Sequence, residues 1–371
     1  MISETPSIVA AWEAGAQLVA SGGGGQTWAS RLLAEQLLDP SSTLKPISPD
    51  DLAAEATCTA VGLIGSVEAF QEKPSGGWLL RKAVEALDRY TRKTTEAVAT
   101  YEAAGANAML GIACATSTGL PLLDADLMGR AFHSMAQTSF TAHDRDCLPA
   151  VVVGSTGMVT LFDGLDNADF EATIRPILQQ FGGWGAFAGY QHPAWVYRDS
   201  ALTGAYTRLE RLGSAYLSAR RSFARLSTAL TSLAPSHGLR YLGGGYVTEC
   251  DWSVTPLRTT FAPEGRIAIA IQENSTFAPR AERLRIDARH EFLLCSADGT
   301  VLAQSPDSIS VLHSRTGLPL QTTEVRPGMR VDVIAVEAPE KWKSNAGLTL
   351  SGPAYHGLRL PDDHERVSLW A

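Results

Sequence analysis

A change of hydrophobic period divides this chain and limits its fold more than any single motif does. Up to about residue 165, segments with helical spacing alternate with short apolar runs. "SIVAAWEAGAQLVA" repeats its apolar residues as a helix does, and so does the stretch after the glycines of "SGGGGQTWASRLLAEQLL". "TAVGLIGS" reads as a buried strand. "GGWLLRKAVEALDRYTRKTTEAVATYEAAG" carries one long helical period, and "ANAMLGIACATST" a further helix. "LPAVVVGSTGMVTLF" reads as one or two strands around a glycine turn. From about 166 to 235 the pattern is helical. After Gly238 it changes again: "RIAIAIQE", "EFLLCSADGTVLA", "SISVLH" and "RVDVIAVEA" alternate, with turn signals at Asp298-Gly299 and Pro327-Gly328. These patterns predict an α/β N-terminal domain of layered sheet and helices over residues 1–165. A helical bridge followed by a β-rich C-terminal domain is predicted over 166–371.

Charge and cysteine usage narrow the function classes. The net charge is -8, and no basic run of the kind that neutralises phosphates is visible, so nucleic acid is not the expected partner. The five cysteines are scattered and form no C-x-x-C pair, which supports neither a zinc knuckle nor a disulfide framework. Reduced thiols and a cytoplasmic location are expected. "MISETPSIVAAWEAG" lacks the basic start and long apolar stretch of a signal peptide, and no run approaches a membrane span.

The densest chemistry lies in "GLPLLDADLMGRAFH", Gly119 to His133. A short apolar run stops on Asp124 and Asp126. On a regular strand, residues two apart share a face, so the two carboxylates would repel unless something held them. Arg130 is one candidate partner, swung back by a turn at Gly129; a divalent cation is another. Two aspartates alone are a poor zinc site, so a metal such as Zn would need His133 or Glu102 as well. The same pattern also suits a solvated turn with a surface ion pair. Gly22, Gly23, Gly24 and Gly25 lead into a helix, where backbone N–H groups can meet an anion, or where two backbones can simply pack closely. Glu72 and Lys73 follow a predicted strand, where such a pair is commonly solvated. Asn107 is placed to cap a helix, and His133 is a base, a ligand or a packed core residue. His143, Asp144 and Asp146 read as an exposed loop.

Taken in order, "SGGGGQTW", "GSVEAFQEK", "EAAGAN" and "GLPLLDADLMGRAF" resemble the signature blocks of the S-methyl thiohydantoin desulfurase-like family. "IQENSTFA", "SPDSISVLH" and "GPAYHGL" resemble its C-terminal blocks more loosely, so the resemblance covers most of the chain. It implies an α/β domain followed by a β-rich one, and chemistry related to removing sulfur from thiohydantoin rings. Carried over residue by residue, it marks Gly22 to Gly25, Glu72, Lys73, Glu102, Asn107, Asp124, Asp126, Gly129 and Arg130. Three departures stand out. Gln26 replaces an acidic residue, Ala104 a glycine, and His133-Ser134 the family's Pro-Glu.

The resulting expectation is a cytosolic hydrolase, or a divergent lyase or cyclase, acting on a small nitrogen heterocycle or amide in a cleft between the domains. Asp124, Asp126, Arg130, His133 and Glu102 are the expected catalytic residues. Gly22 to Gly25, Glu72, Lys73 and Asn107 are the expected substrate-binding residues. Water would attack the ring carbon between two nitrogens, activated by a carboxylate or imidazole, with Arg130 or glycine N–H groups holding the developing charge. Asp126 is expected to project into the cleft, with Asp124 or Glu102 orienting Arg130. No cofactor is required apart from the metal alternative, and self-association into a homo-oligomer is compatible. The competing expectation, from another class, is a non-catalytic binding or assembly subunit of a hydantoinase/oxoprolinase-type system.

Overall fold

The computed structural model describes residues 7–38, 44–74, 77–222, 225–233, 237–256, 261–358, 360 and 370; the side chains of 233, 254–256 and 261–264 are outside the description. Ile8–Val19 forms α1, capped by the Ser7 hydroxyl, which accepts the Ala10 N–H. Trp28–Leu37 forms α2. Thr57–Gly65 forms β1, buried along nearly its whole length as its apolar run requires. Val67–Glu72 is α3 and Trp78–Thr91 is α4. Ala97–Thr100 is β2, Gly105–Thr118 is α5 and Leu122–Asp126 is β3. Ser139–Ala142 is α6, and Ala150–Gly154 (β4) and Val159–Phe162 (β5) form a hairpin. Asn167–Gln180 is α7, Trp184–Pro193 is β6, Ala194–Ser200 is α8 and Leu202–Thr203 is β7.

These strands build one sheet in the order β5-β4-β6-β1-β2-β3-β7. Only β1, β2 and β3 run parallel to their neighbours among themselves; the flanking pairs are antiparallel. The sheet lies within the compact unit Gly25–Arg208. Helices α4 and α5 pack on it, and α2 packs on α5.

Two readings of the sequence are corrected here. The long helical period ends at Arg92, which takes a left-handed φ of 57°, and the chain re-enters the sheet as β2. The β-branched Thr94, Thr95 and Val98 explain the switch. The stretch from 166 to 235 is not helical throughout, because β6 falls inside it and takes a central place beside β1. Its Gly- and Ala-rich sequence, "WGAFAGYQHP", hides the strand.

The second compact unit comprises Met1–Gly24 and Leu209–Ala371. Ala205–Arg221 forms α9, and Leu226–Leu233 forms α10. Then follow Leu239–Pro256 (β8), Phe261–Asn274 (β9), Arg283–Arg289 (β10), Glu291–Ala297 (β11), Thr300–Gln304 (β12), Ser308–His313 (β13) and Arg330–Val336 (β14). Asn345–Ser351 is α11. The seven strands make a curled antiparallel sheet in the order β12-β11-β10-β9-β8-β14-β13. Its core is a cluster around Ile267, Ile286, Phe292, Val311 and Val333. Helix α1 belongs with this unit and crosses α9 at touching distance. A Cβ on Gly213 would lie 1.8 Å from the Ala11 carbonyl oxygen, so only glycine fits. Among the described residues, no helix is long and apolar enough to cross a membrane.

Candidate functional site

The two aspartates at the end of β3 do not act together. Asp124 Oδ1 accepts the backbone N–H groups of Tyr206 (2.6 Å) and Thr207 (3.2 Å), and its Oδ2 accepts the Thr207 hydroxyl at 2.6 Å. Asp124 therefore caps the start of α9, where an anion is favoured. Asp126 is only 1% exposed. Its Oδ2 accepts N–H groups from Ala103 (2.8 Å) and Gly129 (2.7 Å). Burial pushes its carboxyl up to about 6, against the pull of these donors. The shared face expected from a two-residue period fails because β3 is irregular: Val98 pairs with Leu122 but Thr100 with Asp126. Four residues of β3 thus span two of β2, and the carboxylates part company.

Asp126 works instead as a clasp. It ties the turn after β2, at Ala103, to the turn after β3, at Gly129. The Leu127 N–H adds a second tie, to the Tyr101 carbonyl at 3.2 Å. The neighbours of the clasped residues, Glu102 and Arg130, are thereby held on adjoining segments at the carboxyl ends of parallel strands. This edge is where open α/β sheets bind ligands.

Arg130 is completely buried; its Nε donates to the Ala131 carbonyl at 3.0 Å and its guanidinium lies 5.0 Å from the Phe132 ring centre. Of the two carboxylates expected to orient it, Asp124 is committed to α9 and does not do so, which leaves Glu102. Asp126 projects onto N–H groups rather than into open space. Glu102 is 6% exposed, and its Oε2 accepts the Asn107 amide Nδ2 at 3.1 Å. Asn107 also holds β1 as a strand partner would: its Oδ1 accepts the Leu63 N–H at 2.6 Å, and its Nδ2 donates to the Leu63 carbonyl at 3.2 Å. Tyr101 donates to the same carbonyl at 2.8 Å. Burial, and then the Glu102 charge, push the Tyr101 phenol well above its ordinary range.

Sequence reasoning missed Glu171 and Arg175, an i,i+4 pair on α7. Such a pair looks like a surface ion pair in sequence, yet Glu171 is buried and accepts the Met135 N–H at 2.8 Å. Arg175 bonds Glu171 at 2.6 Å and donates through Nη2 to the His133 carbonyl at 2.7 Å. Both charges act on Tyr101. The loop carrying half-buried His133 is thus pinned by α7 beside the Tyr101–Glu102 turn.

The remaining candidates lie elsewhere. The N–H groups of Gly23 and Gly24 are spent on the Ala20 carbonyl, at 2.9 and 3.2 Å, closing α1 instead of facing an anion. Gly22, at φ 76°, packs on Phe292, and its carbonyl accepts the Thr322 N–H. Gly25 packs on Val67, the first residue of α3. Glu72 and Lys73 are exposed at the end of α3. His143, Asp144 and Asp146 are exposed, in keeping with a loop. Among the described residues, no three His, Cys, Asp or Glu side chains form a metal-ligating group. The N–H donors on Asp124 and Asp126 explain why this edge does not suit a zinc ion: a cation would have to displace them. All five cysteines are free, and burial pushes Cys58, Cys114 and Cys295 to about 12, which suits packing rather than nucleophilic attack.

Two family models match consecutive parts of the chain: "S-Me-THD-like, N-terminal domain" over residues 9–164 and "S-Me-THD-like, C-terminal domain" over 165–363. A crystal structure of a protein from Chromobacterium violaceum is similar in fold, with a TM-score of 0.73 at 20% identity. That similarity covers 93% of this chain and 94% of the other. Among curated proteins, none matches.

Proposed function

The chain belongs to the S-Me-THD-like family, and on that premise we propose that it is a hydrolase acting on a small cyclic amide or thioamide-type ring. The observation carrying this reading is Glu102: a nearly buried carboxylate, oriented by Asn107, at the carboxyl end of a parallel strand. Buried, oriented acids at such an edge are the common equipment of proton-transfer sites.

In this reading Glu102 is the general base. It takes a proton from water as the oxygen bonds to the ring carbon between two nitrogens. Negative charge builds on the ring as the carbon becomes tetrahedral. Arg130, having no exposed surface, cannot touch that charge and serves as a fixed positive background. Arg175 fits contact better: its side chain is 22% exposed, and its Nη1 carries no hydrogen bond among the described residues. A donor waiting where charge develops lowers the barrier without reorganisation. The tetrahedral carbon then collapses. For a thioether-bearing ring, the new hydroxyl passes its proton to the charged ring nitrogen as a carbonyl forms, the C–S bond breaks, and sulfur leaves as a thiol with the proton returned from Glu102. For a cyclic amide, the C–N bond breaks and the nitrogen takes that proton. No metal enters either route.

The test uses purified protein with S-methyl thiohydantoins, thiohydantoins and hydantoins in ¹⁸O-enriched water. One labelled oxygen in the product carbonyl, with thiol or ring-opened amine released, is expected. Failure to convert any of these rings would overturn the assignment and leave the binding-subunit reading.

A further inference from the structure

The second unit contains a cavity of about 490 Å³ that the reaction proposed above does not use. Its size falls within the range of small-molecule sites. The N-terminus of α10 forms one wall, and the ends of β9, β13 and β14 form the others. Three arginines line it: Arg225, Arg315 and Arg330. Against them stand two acids, Glu273 and Asp332.

The acids do not cancel the arginines evenly. Glu273 is an internal strut. It accepts Arg330 Nη2 at 2.6 Å, lies 3.5 Å from Arg225 Nη1, and accepts the Ser227 hydroxyl. Asp332 is 5% exposed and accepts the Tyr241 hydroxyl at 2.9 Å. Burial, with Glu273 nearby, raises its carboxyl above the ordinary range. Arg315 is exposed on the rim and makes no ion pair or hydrogen bond among the described residues. An arginine keeps its charge at any physiological pH. The cavity therefore carries surplus positive charge.

His313 adds a ring N–H donor. The Thr316 N–H donates to its Nδ1 at 3.3 Å, so the ring proton sits on Nε2. The first N–H groups of α10 have no partner within the helix and add partial positive charge on the same wall. Guanidinium groups bind carboxylate and phosphate oxygens in a fork, and Glu273 already fixes two of the three in place.

We propose that this cavity binds a small oxyanion, the carboxylate or phosphate group of a metabolite, through Arg315, Arg330 and His313 Nε2–H.

The experiment is calorimetric titration of the full chain at low salt, with inorganic phosphate and with malonate as probes. Saturable binding at one site per chain is expected. Arg315→Gln should weaken it at least tenfold, and because Arg315 is exposed and unpaired, the variant should fold normally. Arg330→Gln should do the same, though it also releases Glu273. Arg81→Gln, an exposed arginine on α4, should leave binding unchanged. Tighter phosphate marks a phosphate site, tighter malonate a carboxylate site, and equal affinity a site that reads charge alone; each supports the proposal. Absence of saturable binding, or equal affinity in the wild type and in Arg315→Gln, would overturn it.

Discussion

Replacing Asp126 by Asn separates a structural carboxylate from a catalytic one through its pH dependence. In the folded protein its carboxyl titrates near 6, against an ordinary value of 3.8, because burial outweighs the Ala103 and Gly129 donors. Two pK units and a little more correspond to roughly 3 kcal/mol. The folded pKa is the higher one, so the folded protein holds this proton more tightly than the unfolded chain. The stability this group contributes is complete below about pH 4 and is lost as pH rises through about 6. An amide has no such proton, yet it keeps an oxygen for the two N–H groups. Asp126→Asn should therefore match the wild type near pH 4 and exceed it by up to roughly 3 kcal/mol at pH 7. Urea denaturation of both proteins at a series of pH values reads this difference directly, since other titrating groups are common to both. A difference that stays flat between pH 4 and 7 would refute the buried-clasp account, and a large loss of turnover would return Asp126 to the chemistry.

Three further outcomes test the scaffold around the site. Asp124→Ala uncaps α9 and should cost about 1 kcal/mol with turnover retained, measured by denaturation and assay together. Asn107→Ala strands the buried Leu63 N–H, while Tyr101 still serves the Leu63 carbonyl; a loss of roughly 1–3 kcal/mol is expected, with turnover falling further than stability explains. Gly213→Ala drives a methyl into the Ala11 carbonyl and should cost about 1–3 kcal/mol in the same denaturation assay, whereas an unchanged midpoint would mean that the α1–α9 crossing is looser than it looks.

The sequence made the two architectures visible because period is a direct imprint of burial. The helix-and-strand alternation and the β-rich run after Gly238 both came from it. Regularity was the assumption that failed. Asp124 and Asp126 share a face only on an even strand, and the slip between Val98 and Thr100 has no signature in residue types. Glu102 and Asn107 stood out through their motif, but their bond to each other depends on how β2 turns into α5. Glu171 and Arg175 sit at a spacing that most exposed helices share, so nothing local marked Glu171 as buried. The glycine run could have meant anion binding or close packing, and the choice rested on Ala20, whose carbonyl takes two of its N–H groups.

Steady-state turnover of Glu102→Gln tests the central claim most directly. Glutamine keeps an oxygen for the Asn107 amide, so the fold and the melting temperature should hold. On a ring that the wild type converts, turnover should fall by about 100-fold or more, as expected when a general base is lost. Wild-type turnover in a folded Glu102→Gln protein would contradict the account and move the chemistry away from the end of β2.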